Sequence, residues 1–379
     1  MSQGFNTCYN IDDLRARARR RAHKMVFDYI DGGSDDERSL DWNISDFDNY
    51  ELHFRVLAGI ETPNSSIDLL GHKLDVPFIL SPSAGNRLFH HMGERAVARQ
   101  AQKFGTTYCL STLSSVSIED IAAIGDGPKW FQLYVWRDKA LVKDILARAK
   151  AAGFTGLILT VDLPAHGNRE RDPKNGFTIP PKRGARQLWE ALKRPAWTWD
   201  YLTKPKITYA NFEGFQTSQT LDQLVSEQLY SAFDWRDAEW LLGEWNGTAI
   251  IKGVMRPDEA KRAIALGFNA IMVSNHGGRQ LDTSPAPISV IEPMRQKIGG
   301  DGALILDGGV RRGTHIIKAL ALGADAVSFA RPYLYGLAAG GEVGVARALE
   351  LIYQSLLRDM TLLGAASIKD ISRDMVSRR

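Results

Sequence analysis

Short apolar runs rich in β-branched residues alternate with longer segments of helical period along most of this chain. The runs are PFILS near residue 77, TYCLS near 107, WFQLYV near 130, GLILTVD near 156, AIIKGV near 249, AIMVSNH near 270, ALILDGG near 303 and AVSFAR near 326. Segments such as ERAVARQAQKFG, KALVKDILARAKAAG, PDEAKRAIALG and GTHIIKALALG separate them, each ending in the glycine that helix C-termini favour. Continuously apolar runs fit parallel strands covered on both faces. Eight strand–helix units are what a TIM (β/α)8 barrel requires, and this is the α/β fold we expect, over about residues 74–363. A doubly wound sheet is the alternative, but PFILSPSAGNRL lacks the glycine-rich dinucleotide turn such a sheet carries after its first strand.

Ahead of the barrel, Ile11, Leu14, Ala18, Ala22, Met25 and Tyr29 recur at helical spacing. This predicts one helix from residue 11 to about 30, stopped by Gly32–Gly33, with Arg15, Arg17, Arg19, Arg20 and Arg21 as its solvated face. The rhythm of the barrel breaks once. Roughly 85 residues separate the fourth and fifth runs, too many for one helix and its turns. Residues 234–246 are expected to supply the missing barrel helix, and 176–232 to be an insertion. Within it, residues 182–206 hold seven Lys/Arg against Glu190 and Asp200, interleaved with Trp189, Trp197, Trp199 and Tyr201. Basic residues mixed with tryptophan suit a membrane interface. An active-site lid or an oligomer contact is the competing expectation.

Composition narrows the classes further. The chain has 379 residues, 44% hydrophobic and 24% charged, with a net charge of +3, which gives no argument for a nucleic-acid partner. Its two cysteines, Cys8 and Cys109, form no disulfide framework and have no metal-ligand spacing, so a reducing compartment and inert thiols are expected. The N-terminus lacks the pattern of a signal peptide, and no window approaches 18 uninterrupted apolar residues. The expected location is cytoplasmic, or peripheral on the inner face of the cell membrane. The eight histidines show no HExxH spacing, and no metal is expected.

In a barrel of this kind, catalysis sits at the C-terminal ends of the strands. The unusual residues fall there in run after run: Gln132 and Tyr134, Thr160 and Asp162, Lys252, His276 and Arg279, Asp307 and Arg311, then Arg331. Three kinds of chemistry can be read from them. LILDGGVRRG and SFARP suit a phosphate, with glycines that let backbone N–H groups approach and an arginine that adds a bidentate contact. His276, in SNHGGRQLD, can act as a base with Asp162 as its carboxylate partner. Arg169 and Arg279 can hold a carboxylate in fork geometry.

With these residues in place, the chain resembles the FMN-dependent L-2-hydroxy-acid oxidases and dehydrogenases. The resemblance runs from KMVFDYIDGG through FQLYV, LTVD, NRERD, IIKGV, SNHGGRQ and LDGGVRRG to RP and the C-terminal helix. Within the family it is most similar to the bacterial membrane-associated L-lactate dehydrogenases, whose insertion is also basic and Trp-rich. The resemblance implies FMN as cofactor and one domain over residues 1–379. It implies that Tyr29, Arg169 and Arg279 bind the substrate carboxylate, and that Tyr134 faces the hydroxyl. His276 would be the base, paired with Asp162. Ser83, Ala84, Ser111, Gln132, Thr160 and Ser274 would contact the flavin. Lys252 would lie beside the flavin N1 and O2. Asp307 and Arg311 would reach the ribityl chain, with Gly309, Ala330 and Arg331 at the phosphate.

Ala330 stands where many members have glycine. Ala84 resembles lactate- and glycolate-type members rather than mandelate-type ones, and Leu113 resembles the flavocytochrome lactate dehydrogenases. Together they imply a short aliphatic substrate, L-lactate first, oxidised to pyruvate. No haem-binding segment is expected ahead of the barrel. A quinone or cytochrome is the implied electron acceptor and a homotetramer the implied assembly. The alternatives are an O₂-using oxidase of glycolate, a longer-chain acid or mandelate, a flavin isomerase, and a flavin-binding protein without catalysis.

Overall fold

The computed structural model describes residues 4–177, 184–212 and 230–379. Eight parallel strands close into a barrel: β4 (Phe78–Leu80), β5 (Tyr108–Ser111), β6 (Lys129–Tyr134), β7 (Gly156–Thr160), β8 (Thr248–Lys252), β9 (Ala270–Val273), β10 (Ala303–Asp307) and β11 (Ala326–Phe329). Each coincides with one of the apolar runs, and β11 pairs back onto β4, which excludes the doubly wound sheet. The outer helices are α4 (Gly93–Lys103), α5 (Ile118–Ala122), α6 (Lys139–Ala151), α10 (Trp235–Trp245), α11 (Pro257–Leu266), α12 (Pro287–Ile298), α13 (Gly313–Ala321) and α14 (Arg331–Leu363). The helix expected over 234–246 is therefore α10, capped at its N-terminus by Asp234. Helix α14 bends at Gly340–Gly341, where two helical segments meet.

Alternate strand residues divide two cores, as side chains in a strand must. Phe78, Leu80, Leu110 and Phe131 face the helices. Ile79, Cys109, Trp130, Ile158, Ile250, Met272 and Ile305 fill the barrel interior. A hairpin of β2 (Ile67–Leu69) and β3 (His72–Leu74) closes the bottom, with Leu69 and Leu74 packed onto that interior core. Burying each such leucine stabilises by about 1.5–3 kcal/mol. The C-terminal end returns to the segment after α3 in an antiparallel pair of β1 (Tyr50–Leu52) and β12 (Val376–Arg378). Neither pairing was visible as a barrel strand, because three residues carry too little periodicity.

The single N-terminal helix expected over 11–30 is two: α1 (Ile11–Arg21) and α2 (Lys24–Asp31). Ala22 is extended at ψ 151°, and the His23 ring accepts from Met25 N to start the second helix. Apolar spacing continues across the break because both helices bury the same side. The arginines of α1 are not simply a solvated face. Arg15 makes a bidentate pair with Asp31 at 2.5 and 2.8 Å, and Arg21 pairs with Asp200 at 2.8 Å. Helix α3 (Arg38–Ser45) then crosses toward the mouth of the barrel.

After β7 come α7 (Arg171–Asn175), α8 (Ala185–Leu192) and α9 (Pro195–Thr203). Lys182 and Arg183 of the basic stretch lie outside the described residues. Trp197 is buried and donates to Leu88 O at 2.8 Å, so α9 is anchored on the first strand-to-helix loop. Leu188, Trp189, Leu192, Trp199 and Leu202 stay 60–73% exposed.

Candidate active site

The strand register sets the floor of the site. Tyr134 pairs with Thr160, and Thr160 with Lys252, so these three side by side end β6, β7 and β8. Above them opens a cavity of about 1180 Å³, counted to its mouth. Tyr134, Thr160, Lys252 and Asp307 line it from the strand ends, and Tyr29 from α2.

Lys252 and Asp307 form a buried ion pair at 3.1 Å. Burial opposes both charges, but each holds the other. Asp307 and then Asp162 bring the ammonium above its ordinary value, while Lys252 and hydrogen bonds from Ser274 and Ser81 bring the Asp307 carboxyl below its own. Ser274 donates to Asp307 at 2.7 Å, and accepts from Lys252 Nζ at 3.1 Å and from His276 N at 3.0 Å. Ser274 does not line the cavity. It joins the cation to the loop that carries His276.

That loop has a left-handed turn in which even His276 has φ +58°. Its Nδ1 donates to Asp162 Oδ1 at 2.8 Å. Burial holds the imidazole below its ordinary value in spite of Asp162. Burial raises the Asp162 carboxyl, but His276 and Lys252 outweigh it, and the group stays ionised. A neutral ring bonded through Nδ1–H leaves Nε2 as an acceptor toward the cavity. The Tyr134 ring lies 6.5 Å from the His276 ring, and burial pushes its phenol up to about 12.

The rest of SNHGGRQLD is equally committed. Asn275 and Asn43 of α3 exchange amide hydrogen bonds at 2.8 and 2.7 Å. Asp282 accepts from the N–H groups of Arg38 and Ser39 and so starts α3. Gly278, at φ +73°, lies so close to α3 that a Cβ would meet Leu40 N at 2.5 Å. Arg279 stacks over Tyr29 at 4.6 Å and donates to the carbonyls of Tyr29 and Gly32. Burial, then the nearby Arg169 charge, pulls its guanidinium down to about 9. Arg169 donates to Arg279 O at 3.3 Å and to Gln280 Oε1 at 3.2 Å. Two guanidiniums forced together with carbonyls as partners make a receptor for an anion.

A second cationic group adjoins the first, because Arg331 and Arg279 both donate to Gly32 O. Arg331, at the N-terminus of α14, donates to Ile30 O, Gly32 O and Gly277 O at 2.8–2.9 Å. Arg311 donates to its neighbour's carbonyl, Val310 O, at 2.8 Å. Burial lowers both guanidiniums. Half-buried arginines bonded to neutral carbonyls, one of them at a helix N-terminus, fit a phosphate. Ala330 caps that helix and borders the cavity. Gly309 borders it too, but its missing side chain answers a different need: a Cβ would meet Asn43 O at 1.8 Å. Gly308, at φ +119°, is the open position beside it.

Ser83, Ala84 and Leu113 line the cavity, as the sequence indicated. Ser111 and Gln132 do not. They form a layer behind it, where Ser111 donates to Gln132 Oε1 at 3.1 Å and Gln132 donates to Thr160 at 2.9 Å, so they orient Thr160. Sequence reasoning missed Phe89, Trp136 and Leu163, which complete the apolar wall, and Phe177, which stacks on Tyr29 at 4.5 Å. Asn43 and Gln280 were also missed as site residues. Neither stands at a strand end, where the sequence drew attention to Gln132.

Outside this cavity, His90, His91 and Asp200 bring their ligand atoms within 4.8 Å of one another, a grouping that spacing did not reveal. Arg21 already holds Asp200, and its charge helps lower His90 to about 4, after burial. A cation here would face that guanidinium, so the group serves to fasten α9 to α1.

Comparison with known proteins agrees with the geometry. The profile of the FMN-dependent dehydrogenase family matches residues 18–378. An L-lactate dehydrogenase of Actinobacillus pleuropneumoniae serotype 5b is 38% identical, covering 96% of both chains. The crystal structure of the monotopic membrane protein (S)-mandelate dehydrogenase superposes with a TM-score of 0.95 at 35% identity, over 98% of this chain and 100% of that one. A mandelate oxidase structure with (S)-2-phenylpropionate follows at 0.84 and 34%, over 98% and 99%.

Proposed function

This chain belongs to the FMN-dependent dehydrogenase family, and from that premise we propose that it oxidises an L-2-hydroxy acid, L-lactate first, to the 2-keto acid. One observation carries the proposal. A neutral His276, bonded to the ionised Asp162, and the Arg169–Arg279 clamp share one cavity over a buried lysine. The whole chain acts as a single catalytic domain, in which the insertion is an accessory.

The residues fit the cofactor. Arg311 and Arg331 would hold the FMN phosphate. Lys252 and Thr160 would lie along the ring, with Ser83, Ala84 and Asp307 on the same wall. FMN bound there supplies the two-electron acceptor that oxidation of a hydroxy acid needs. The protein supplies the rest. Arg169, Arg279 and Tyr29 bind the carboxylate and orient the Cα–H into the cavity. His276 Nε2 takes a proton from the substrate, and Asp162 stabilises the imidazolium that forms. Tyr134 faces the hydroxyl. Lys252 holds positive charge where negative charge develops. Ala84, Leu113 and Trp136 leave an apolar wall suited to a small side chain. An anaerobic titration with L-lactate, D-lactate, glycolate and mandelate tests this. L-lactate is expected to bleach the flavin best, and failure of every acid to bleach it would refute an enzymatic role.

The electrons pass to a quinone or cytochrome at a membrane surface. No helix among the described residues is long and apolar enough to cross a membrane. Instead, Leu188 and Leu192 on α8, and Trp199 and Leu202 on α9, recur at i,i+4 and i,i+3 and point outward together with Trp189. Such a face, flanked by Lys193 and Arg194, supports peripheral binding to anionic lipid. Deleting 182–206, the obvious test, would also remove Trp197 and Asp200, which anchor the barrel loop and α1. Replacing the five exposed residues by serine is the cleaner change. This variant is expected to lose co-sedimentation with anionic liposomes at low salt while keeping its flavin and its activity with a soluble dye. Peroxide release with L-lactate would instead favour an oxidase. The exposed group Phe54, Val56, Leu57 and Leu362 supports assembly into a homotetramer, which light scattering would check.

A further inference from the structure

Gln280 touches both halves of the proposed catalytic apparatus and faces neither substrate nor cofactor. It is 8% exposed and does not line the cavity. Its Nε2 donates to Asp162 O and to Ala165 O, both at 2.9 Å. Its Oε1 accepts from Arg169 Nη2 at 3.2 Å and from Gly167 N at 3.4 Å. All donors and acceptors of the amide are thus used. The opposite amide orientation would set its oxygen against two carbonyls and its N–H groups against a guanidinium.

These partners all lie on one segment, residues 162–169, which follows β7. That segment bears the carboxylate that orients the base at one end and an arginine of the clamp at the other. Gln280 itself follows Arg279 directly. Arg169 and Arg279 repel each other, a repulsion already visible in the lowered Arg279 value. Two acceptors keep Arg169 close: Arg279 O and Gln280 Oε1.

We infer that Gln280 is a positioning residue that acts through Arg169 and the Asp162 backbone, holding the second arginine beside the first and the carboxylate in register with the base. This deepens the proposed 2-hydroxy-acid reading and rests on it. Without the amide oxygen, Arg169 swings away from Arg279, and the carboxylate of the substrate is held by one arginine. Without the amide N–H groups, the backbone at Asp162 loosens.

A double-mutant cycle tests this, with propionate as the probe because it carries the carboxylate and no hydroxyl to oxidise. Calorimetry on the FMN-bound protein gives its affinity in the parent, Gln280→Met, Arg169→Met and the double variant. Gln280→Met is expected to weaken propionate about tenfold in the parent, and less than about twofold once Arg169 is gone. In turnover of L-lactate, its KM is expected to rise more than its kcat falls. The acid limb of its pH profile is expected to move down, because Asp162 no longer supports the imidazolium. Equal losses in both backgrounds, or an unchanged propionate affinity, would overturn the inference. If the methionine variant does not fold, Gln280→Glu carries the test. It keeps the shape and an acceptor toward Arg169, and its charge competes for that guanidinium, so propionate is expected to weaken further. Parent-like affinity in this variant would also overturn the inference. A parent protein that binds propionate yet oxidises no 2-hydroxy acid would refute the proposed activity and leave the Gln280 test standing.

Discussion

Replacing His276 with glutamine is expected to lower kcat with L-lactate by about 10²–10⁴-fold, the usual contribution of a positioned base. Glutamine keeps a donor toward Asp162 and removes the basic nitrogen, so binding should suffer far less than turnover. Stopped-flow reduction of the flavin under anaerobic conditions separates the two. A loss confined to KM would refute the role. The same ring fixes a pH dependence. Its folded value lies below the ordinary 6.5, mainly through burial. The base is therefore neutral, and active, throughout the neutral range, and the acid limb of kcat/KM is expected below pH 6.5. Stability follows the same sign. The unfolded chain takes up the proton first, so this group's contribution is complete above its ordinary value and is lost as pH falls through the folded one.

Replacing Lys252 with methionine is expected to have two large effects of different origin. It leaves Asp307 as a buried carboxylate without its cation, which costs about 3–5 kcal/mol of stability. It also removes the positive charge at the developing negative charge, which should cost about 10²–10³ in the rate of flavin reduction. The two separate in the double variant with Asp307→Asn. Unfolding midpoints should recover toward the parent, because no buried charge remains unpaired, while the rate stays low. Recovery of both would place Lys252 in the scaffold alone. On the alkaline side the raised Lys252 value keeps the pair intact well past neutrality. On the acid side the depressed Asp307 value means its contribution is present above the ordinary carboxylate range and fails only as pH drops through the folded value.

The barrel was legible because each strand announces itself in its own residues. Phe78–Leu80 and Ala303–Asp307 are apolar on both faces and are followed by glycine-ended helices, so neighbouring strands and helices need no distant information. The site was legible for a related reason. Charged or basic side chains at strand ends, such as Lys252 and His276, are costly there unless they serve chemistry. What stayed hidden depends on contacts far apart in sequence. The break at Ala22–His23 leaves the apolar spacing intact. The hairpin plug at Leu69 and Leu74 is explained only by the interior it covers. Asn43 and Gln280 act through amide geometry, and Gly309 is required by a carbonyl from α3 that no local reading could supply. Ser111, Gln132 and Ser274 show the limit from the other side. Their chemistry marked them as flavin contacts, but the fold places them in a layer behind the cavity wall.

The carbonyls at the end of α2 have a consequence for the timing of synthesis. Arg331 reaches back to Ile30 and Gly32, and Tyr335 donates to Asp31 across a separation of 304 residues. Asn43 and Asn275 are 232 apart. The N-terminal helices leave the ribosome first, yet their partners are made almost last. Contacts of such range form late, after the loop between them has been closed by other structure. The growing chain thus carries α2 without its Arg331 and Tyr335 contacts until the eighth strand has emerged, whereas the partners of α3, Asn275 and Asp282, are made earlier. Of the two arginines proposed to hold the phosphate, Arg311 is made before that strand and Arg331 after it. A chain arrested short of about residue 331 would hold most of the barrel and Arg311 but lack Arg331, and is expected to retain its flavin less tightly.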